Sequence, residues 1–250
     1  MHWRVYADNQ SGCYRPGWTL LRTDKTISPR NRGAVQQCYE IGIDVVVATA
    51  RPPLAARRFL HDMPWLDYMV YYNGALVTCK SKHVERHTAL WPELSRRLTG
   101  FIRNQSPTSF IAYEVRDRWY ASCPLPDSHR TVFGLGPTDS TPEVVDHTYA
   151  ATLAPTKILA ADYHGWRNLQ QEFRQLVNVV ATDGGALVQI MPASASKEAA
   201  VEWSSTISGY RANRSWSLAM TSMTWDSFGC AGFPWPWQTP SQKSARWRPM

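Results

Sequence analysis

Thr49, Arg51, the pair Asn73-Gly74 and Lys197 stand where this chain changes direction, and they carry a hydroxyl, a guanidinium, an amide and an ammonium. Each has an ordinary structural role. A threonine at a strand end caps a turn, Asn-Gly closes a tight turn, and a lysine at a helix start is solvated. Metal and thiol chemistry have weaker support. Cys13, Cys38, Cys79, Cys123 and Cys230 are odd in number and scattered, with no C-x-x-C spacing. Zinc sites need such short spacings, so the cysteines read as reduced thiols of a cytosolic protein. His61, His83, His87, His129, His147 and His164 fall at no ligand spacing and read as surface residues.

The elements that would position these residues are legible from 19 to 203. Ser28-Pro29 is a helix N-cap followed by proline at the first helical position, and Gly42 closes the helix. Residues 43–48 (IDVVVA) form an apolar, β-branched run of the kind found in buried parallel strands. Thr49 to Pro52 turn the chain into a helix over 53–61, and 67–72 (DYMVYY) is a second strand that ends at Asn73-Gly74-Ala75. That rhythm predicts a parallel α/β sheet. From 79 to 190 the texture changes. Strands over 110–115 and 118–121 flank Asp117, a strand covers 157–161, a helix covers 166–176, and a hairpin joins 177–182 to 186–191. Hairpins with interspersed helices predict an α+β module inserted into the α/β core. A helix resumes over 196–203 with Lys197 in its first turn.

With 250 residues, 44% hydrophobic and 19% charged, the composition is globular. No run approaches the ~18 apolar residues that span a membrane, and the first residues lack the apolar core of a secretory signal. The formal charge of +7 invites a nucleic-acid reading. Its placement argues against one for the interior, because Arg211, Arg214, Lys243, Arg246 and Arg248 face only Asp226 after residue 203. The same stretch holds five of the twelve tryptophans, with no strand or helix period. The first eighteen residues are equally patternless.

The ordered set Thr19 to Pro29 (TLLRTDKTISP), 42–52 (GIDVVVATARP), 71–77 (YYNGALV) and 187–200 (LVQIMPASASKEAA) resembles the Cof-type branch of the haloacid-dehalogenase superfamily of phosphatases. The resemblance implies an α/β fold: a parallel-sheet core with an inserted α+β cap. It also implies a Mg²⁺-dependent attack by an aspartate on a small phosphorylated metabolite, a second aspartate as general acid/base, and a magnesium held between carboxylates and phosphate. Carried across, Thr49 matches the phosphate-contacting hydroxyl and Lys197 the charge-stabilising lysine. Asn73 and Gly74 match a loop facing cap and substrate, and Arg51 is placed to meet an anionic substrate. No residue matches the nucleophile or a metal ligand. Arg15 and Gly17 stand where the two aspartates belong, and Asp24 falls in an exposed flap.

Displaced reading frames account for the gap. Codons for Arg15-Pro16-Gly17-Trp18 (CGN-CCN-GGN-TGG), shifted by one base, permit Asp, Leu and Asp and force Gly, and Tyr14 permits Ile: I-D-L-D-G directly before TLL. Across Leu218 to Asp226 the shifted triplets force an Asp at Met220/Thr221, a second at Met223/Thr224 and a Gly at Trp225/Asp226. The result permits G-D-D-x-N-D-x-G, which resembles the family's metal-binding motif. Phe233 to Gln238 shifted likewise permit I-S-V-A-M-A. The expected organisation is an out-of-frame segment at 1–18, a core at 19–78, a cap at 79–190, the core resumed at 191–203 and an out-of-frame, disordered tail at 204–250. The chain as written is then a cytoplasmic phosphatase relative lacking its carboxylates. The alternative is a non-enzymatic binding protein that uses the basic, tryptophan-rich tail on nucleic acid.

Overall fold

A computed structural model describes residues 2–5, 26–42, 45–208 and 215–218. Two strands, β1 (His2–Val5) and β12 (Ser215–Leu218), pair in parallel at the two ends of the chain, with β1 close to β2 (Val46–Ala48). Helix α1 (Pro29–Glu40) starts as its residues dictate: the Ser28 side chain accepts from the Asn31 amide at 3.1 Å, and Pro29 opens the first turn. Gly42 follows at φ 77°, a left-handed conformation that ends a helix cheaply only without a Cβ. Strand β2 is buried throughout and pairs in parallel with β3 (Tyr68–Tyr71). Helix α2 (Pro53–Leu60) joins them, with the right rhythm for a crossover.

The sheet then departs from the expected parallel pattern. Strands β4 (Leu76–Cys79) and β5 (Val84–His87) continue it as an antiparallel meander in the order β2-β3-β4-β5. Among the described residues, parallel pairing in the core is confined to β2–β3 and β1–β12. Residue 79, the expected start of the inserted module, falls at the end of β4, and the hairpin through His87 stays on the core sheet.

A second, six-stranded sheet has the order β10-β11-β9-β6-β7-β8. Its strands are β6 (Phe110–Val115), β7 (Arg118–Ala121), β8 (Glu143–Val144), β9 (Lys157–Ala161), β10 (Val177–Thr182) and β11 (Leu187–Pro192). Only β7–β8 is parallel. Three helices accompany it: α3 (Pro92–Gln105), the short α4 (His147–Ala150) and α5 (Trp166–Glu172). Successive strand residues point to opposite faces. Ile111, Tyr113, Ile158, Ala160, Val188 and Ile190 pack with Leu94, Leu98 and Ile102 of α3 and Leu169 of α5. Phe110, Ala112, Leu159, Ala161 and Leu187 pack on the other face with Trp119 and Phe133.

Helix α6 (Lys197–Ser208) returns to the core, where Ala200 and Val201 join the cluster around β2 and β3. It continues five residues past the expected boundary at 203. Together with β1 and β12, it shows regular structure in stretches read as patternless. Residues 6–25 and 219–250, where most of the out-of-frame and tail readings fall, lie outside the described residues.

Gly74 fixes how α6 meets the sheet. It sits at φ 105° after Tyr72 and Asn73, both at φ 53°. A Cβ built there would lie 2.1 Å from the Ser196 carbonyl oxygen and 3.2 Å from the Ala200 Cβ. Backbone cannot yield as a flexible side-chain tip can, and the conformation itself disfavours any Cβ. Gly74→Ala is therefore expected to destabilise the chain by about 2 kcal/mol or more in urea unfolding, whereas Gly100→Ala, with nothing within 4 Å, lies near zero or slightly stabilising.

Candidate functional site

Three backbone segments converge at the carboxyl end of β2 and β3. The Thr49 amide donates to Val70 O at 2.7 Å, extending the β2–β3 ladder by one residue. The Thr49 carbonyl accepts from the Asn73 amide at 3.0 Å, and Tyr72 N–H donates to Arg51 O at 3.3 Å. The loops after the two strands are thus stitched to each other. The third segment is the start of α6. Ser196 accepts from the Ala199 amide with its hydroxyl at 3.0 Å and from the Ala200 amide with its carbonyl at 3.0 Å, so it caps the helix and places Lys197 in the first turn. The contact of Gly74 with Ser196 seats that turn against the Asn73-Gly74 loop.

The residues singled out from sequence take these positions. Thr49 is buried, and its hydroxyl accepts from the Arg51 amide at 3.1 Å. One of its two acceptor lone pairs is thus engaged, and the O–H can still donate. Lys197 is buried, only 9% exposed, which is unusual for a lysine at a helix start. The Asn73 side-chain amide points to the Met191 sulfur at 3.7 Å, tying the loop to β11. Arg51 lies with its guanidinium over the Phe59 ring at 4.6 Å. Thr49, Asn73, Gly74 and the first turn of α6 therefore form one continuous patch, and Arg51 turns from its edge toward the second sheet.

Arg51 faces a cavity of about 150 Å³ between the 50–58 segment and the six-stranded sheet. This region holds the charged pair that sequence reasoning passed over. Glu114 and Lys157 are cross-strand partners of β6 and β9, on the face that alternation assigns to Leu159 and Phe110. Their charged ends meet at 2.8 Å, both buried. The Lys157 ammonium also reaches Ala50 O and Gln189 Oε1 at 3.5 Å and lies 5.2 Å from the Tyr72 ring centroid. Burial, reinforced by the Glu114 charge, pushes the Tyr72 phenol far above its ordinary value, so it stays neutral and donates to Arg116 O. The available signal was a lone acid in FIAYEV and a lone base in KILAA, two otherwise apolar strands.

The two sheets are held together across this cavity by α2. The Asp117 carboxylate, in the β6–β7 turn, accepts from the Leu54 amide at 2.6 Å and pairs with Arg57. Arg58 grips Asp139 through two bonds of 3.0 and 2.6 Å, and that guanidinium holds the Asp139 carboxyl below the usual carboxylate range. Two histidines expected at the surface are instead structural. His129 is buried and meets Asp162 at 2.7 Å. His87 bonds the Thr156 hydroxyl at 2.8 Å, and burial lowers its pKa, with Arg116 adding to the effect. His129 lies in a turn after β7, and His87, at the end of β5 on the core sheet, faces Thr156 just before β9.

The chain matches the haloacid dehalogenase-like hydrolase family over residues 19–214. It is 25% identical over 114 residues to a 5-amino-6-(5-phospho-D-ribitylamino)uracil phosphatase of Bacillus subtilis, covering 42% of this chain and 42% of that protein. The matched part thus spans well under half of the relative's length. Among solved structures it resembles a Thermotoga maritima protein at TM-score 0.69 and 16% identity, covering 87% of this chain and 79% of the other. It also resembles a sugar phosphatase of subclass IIB at TM-score 0.68 and 12% identity, covering 87% and 80%. These likenesses establish the fold: α/β, with an inserted α+β module.

The magnesium expected from the resemblance does not fit the described residues. Mg²⁺ takes hard oxygen ligands, carboxylates foremost, and the strand-end patch offers a hydroxyl, an amide, a guanidinium and an ammonium. Among the described residues no three histidine, cysteine or carboxylate side chains gather as a metal site. Positions 15–18 and 220–226, where the shifted frames place aspartates, lie outside them.

Two outcomes are expected. Glu114→Ala leaves a buried ammonium without its counter-charge and should cost about 3 to 5 kcal/mol in denaturant unfolding, whereas replacing Glu114 and Lys157 together by apolar residues of similar volume should cost far less. For His87 the folded state favours the neutral ring, so its stabilisation is complete above the ordinary histidine value of about 6.5 and is lost as pH falls below it. His87→Asn should flatten that part of the stability–pH curve.

Proposed function

This chain belongs to the haloacid dehalogenase-like hydrolases, and from that premise we propose that it derives from a Mg²⁺-dependent phosphatase of small phosphorylated metabolites and, as written, does not turn them over. The observation that carries the reading is the patch at the ends of β2 and β3. In it the Thr49 hydroxyl accepts from the Arg51 amide and can still donate its proton, and Lys197 is buried in the first turn of α6, which meets Gly74 through Ser196. A hydroxyl proton, an ammonium and a helix N-terminus together suit a phosphoryl group. Asn73 and Gly74 shape the loop that separates them, and Arg51 carries positive charge from the patch to the cavity edge.

These groups bind and orient an anion and cannot attack it. Phosphoryl transfer in this family needs a carboxylate nucleophile and an acid/base partner, and Arg15 and Gly17 occupy the positions that would supply them. Slipped reading frames at both ends explain how a scaffold that keeps its phosphate-facing residues has lost its acids. The phosphatase names of the B. subtilis relative and of the subclass IIB structure support a phosphorylated metabolite as the ancestral substrate. The module carrying the six-stranded sheet is read as the cap.

The chain as it stands should show p-nitrophenyl phosphate turnover with Mg²⁺ on the order of 10⁴-fold or more below a protein with both frames restored. Robust turnover by the present chain, abolished by Lys197→Ala, would overturn the inactive reading. A restored protein that binds no Mg²⁺ would overturn the family mechanism. The coding DNA around codons 14–19 and 203–226 tests the frames directly, since stop codons or non-acidic triplets in the alternate phase contradict them.

A further inference from the structure

A second cavity lies at the other end of the core sheet, where β2 and β3 begin rather than where they lead into Thr49 and Asn73. It holds about 250 Å³ between the last turn of α1, the segment entering β3 and the β4–β5 turn. An engineered cavity of about 150 Å³ accepts one benzene, so this one has room for a ring and a small polar head. Its apolar wall is Tyr39 and Trp65, whose ring centroids lie 5.0 Å apart at an interplanar angle of 32°. The two rings touch each other and act as one surface. Tyr39 is 46% exposed, so a group covering it would take apolar area out of water.

Two charged side chains line the cavity, Asp67 and Lys80. Among the described residues neither has an ionic partner. Asp67 accepts from the Ser81 amide at 2.7 Å, the Ser81 hydroxyl at 2.5 Å and the Cys79 thiol at 3.5 Å. Burial works against its charge, but these bonds outweigh burial and hold the carboxyl below its ordinary range. The donors are neutral, so they fix the carboxylate in place without balancing its charge. The Lys80 ammonium has one long contact, to Pro64 O at 3.5 Å, which leaves donors for a ligand. A lone cation entering here would meet Lys80 and a lone anion would meet Asp67. An uncharged ring would leave both charges unmatched.

We propose that this cavity binds a free α-amino acid with an aromatic or branched apolar side chain, its ammonium set against Asp67, its carboxylate against Lys80 and its side chain on the Tyr39–Trp65 wall. The site lies at the opposite end of β2 and β3 from Thr49 and Lys197. It therefore depends neither on the phosphate patch nor on metal binding or turnover.

The test is calorimetry and thermal shift on the full chain. Phenylalanine and leucine are compared with phenethylamine, which lacks the carboxylate, with 3-phenylpropionate, which lacks the ammonium, and with glycine, which lacks the side chain. Phenylalanine or leucine should bind and raise the melting temperature. Each truncated probe should bind about threefold or more weakly. Lys80→Met, at an exposed turn position, should weaken phenylalanine by about threefold or more and leave phenethylamine unchanged. Asp67→Asn should do the converse, weakening phenylalanine and sparing 3-phenylpropionate. These paired responses read the charge contacts apart from any change in stability, and they place binding here rather than at the strand-end patch. The proposal is overturned if neither amino acid binds, if a truncated probe binds as tightly as phenylalanine, or if Lys80→Met leaves phenylalanine affinity unchanged.

Discussion

The absence of a side chain at Gly74 is the constraint on which the candidate site depends. The loop after β3 must turn through three left-handed residues and then press against the carbonyl that begins α6. The approach works only because nothing projects from the α-carbon. It lets the Asn73 amide bond Thr49 O on one side while Ser196 caps the helix on the other. The threonine, the loop and the lysine thereby share one rigid backbone framework. A residue with a Cβ would have to push α6 away, and with it the buried Lys197.

Around that framework the electrostatics are arranged by pairing. Buried charges are costly unless matched, and the second sheet matches them by geometry. Register places Glu114 opposite Lys157, and period-two alternation turns both to the face that meets the core. On its other face the same sheet presents mainly apolar groups to α3 and α5, with the Tyr113 hydroxyl bonded to that of Thr99 at 3.1 Å. On the core side the ammonium also meets the Ala50 carbonyl, two residues past the end of β2. The buried pair thus ties the module to the segment that carries Thr49 and Arg51.

Local signals made much of this legible. The Ser28-Pro29 start and Gly42 stop of α1, the apolar runs of β2 and β3, and the turn around Asp117 each follow from a few adjacent residues. Helix α3 was missed because its buried stripe is narrow: Leu94, Leu98 and Ile102 are spaced by four among polar neighbours. The β4–β5 hairpin was missed because its turn, Lys80 to His83, is charged, and β5 is only partly buried. The decisive contacts join residues far apart along the chain, such as Glu114 with Lys157 and Gly74 with Ser196. No periodicity within one element encodes such a meeting. At the ends, the composition suggested no order, yet four-residue strands pair there and α6 runs on to Ser208.

Helix α2 illustrates how far the two layers have become dependent. Its own N-cap position is Pro52, which makes no side-chain bond to the first turn. The carboxylate at that end comes instead from Asp117, more than sixty positions downstream on the other sheet. Topologically the insertion looks interchangeable, a unit that could be exchanged for one from another relative. Energetically it is not, because a graft lacking that aspartate would leave the core with an uncapped helix at the threshold of its own anion patch. Any such exchange would have to bring its own acid.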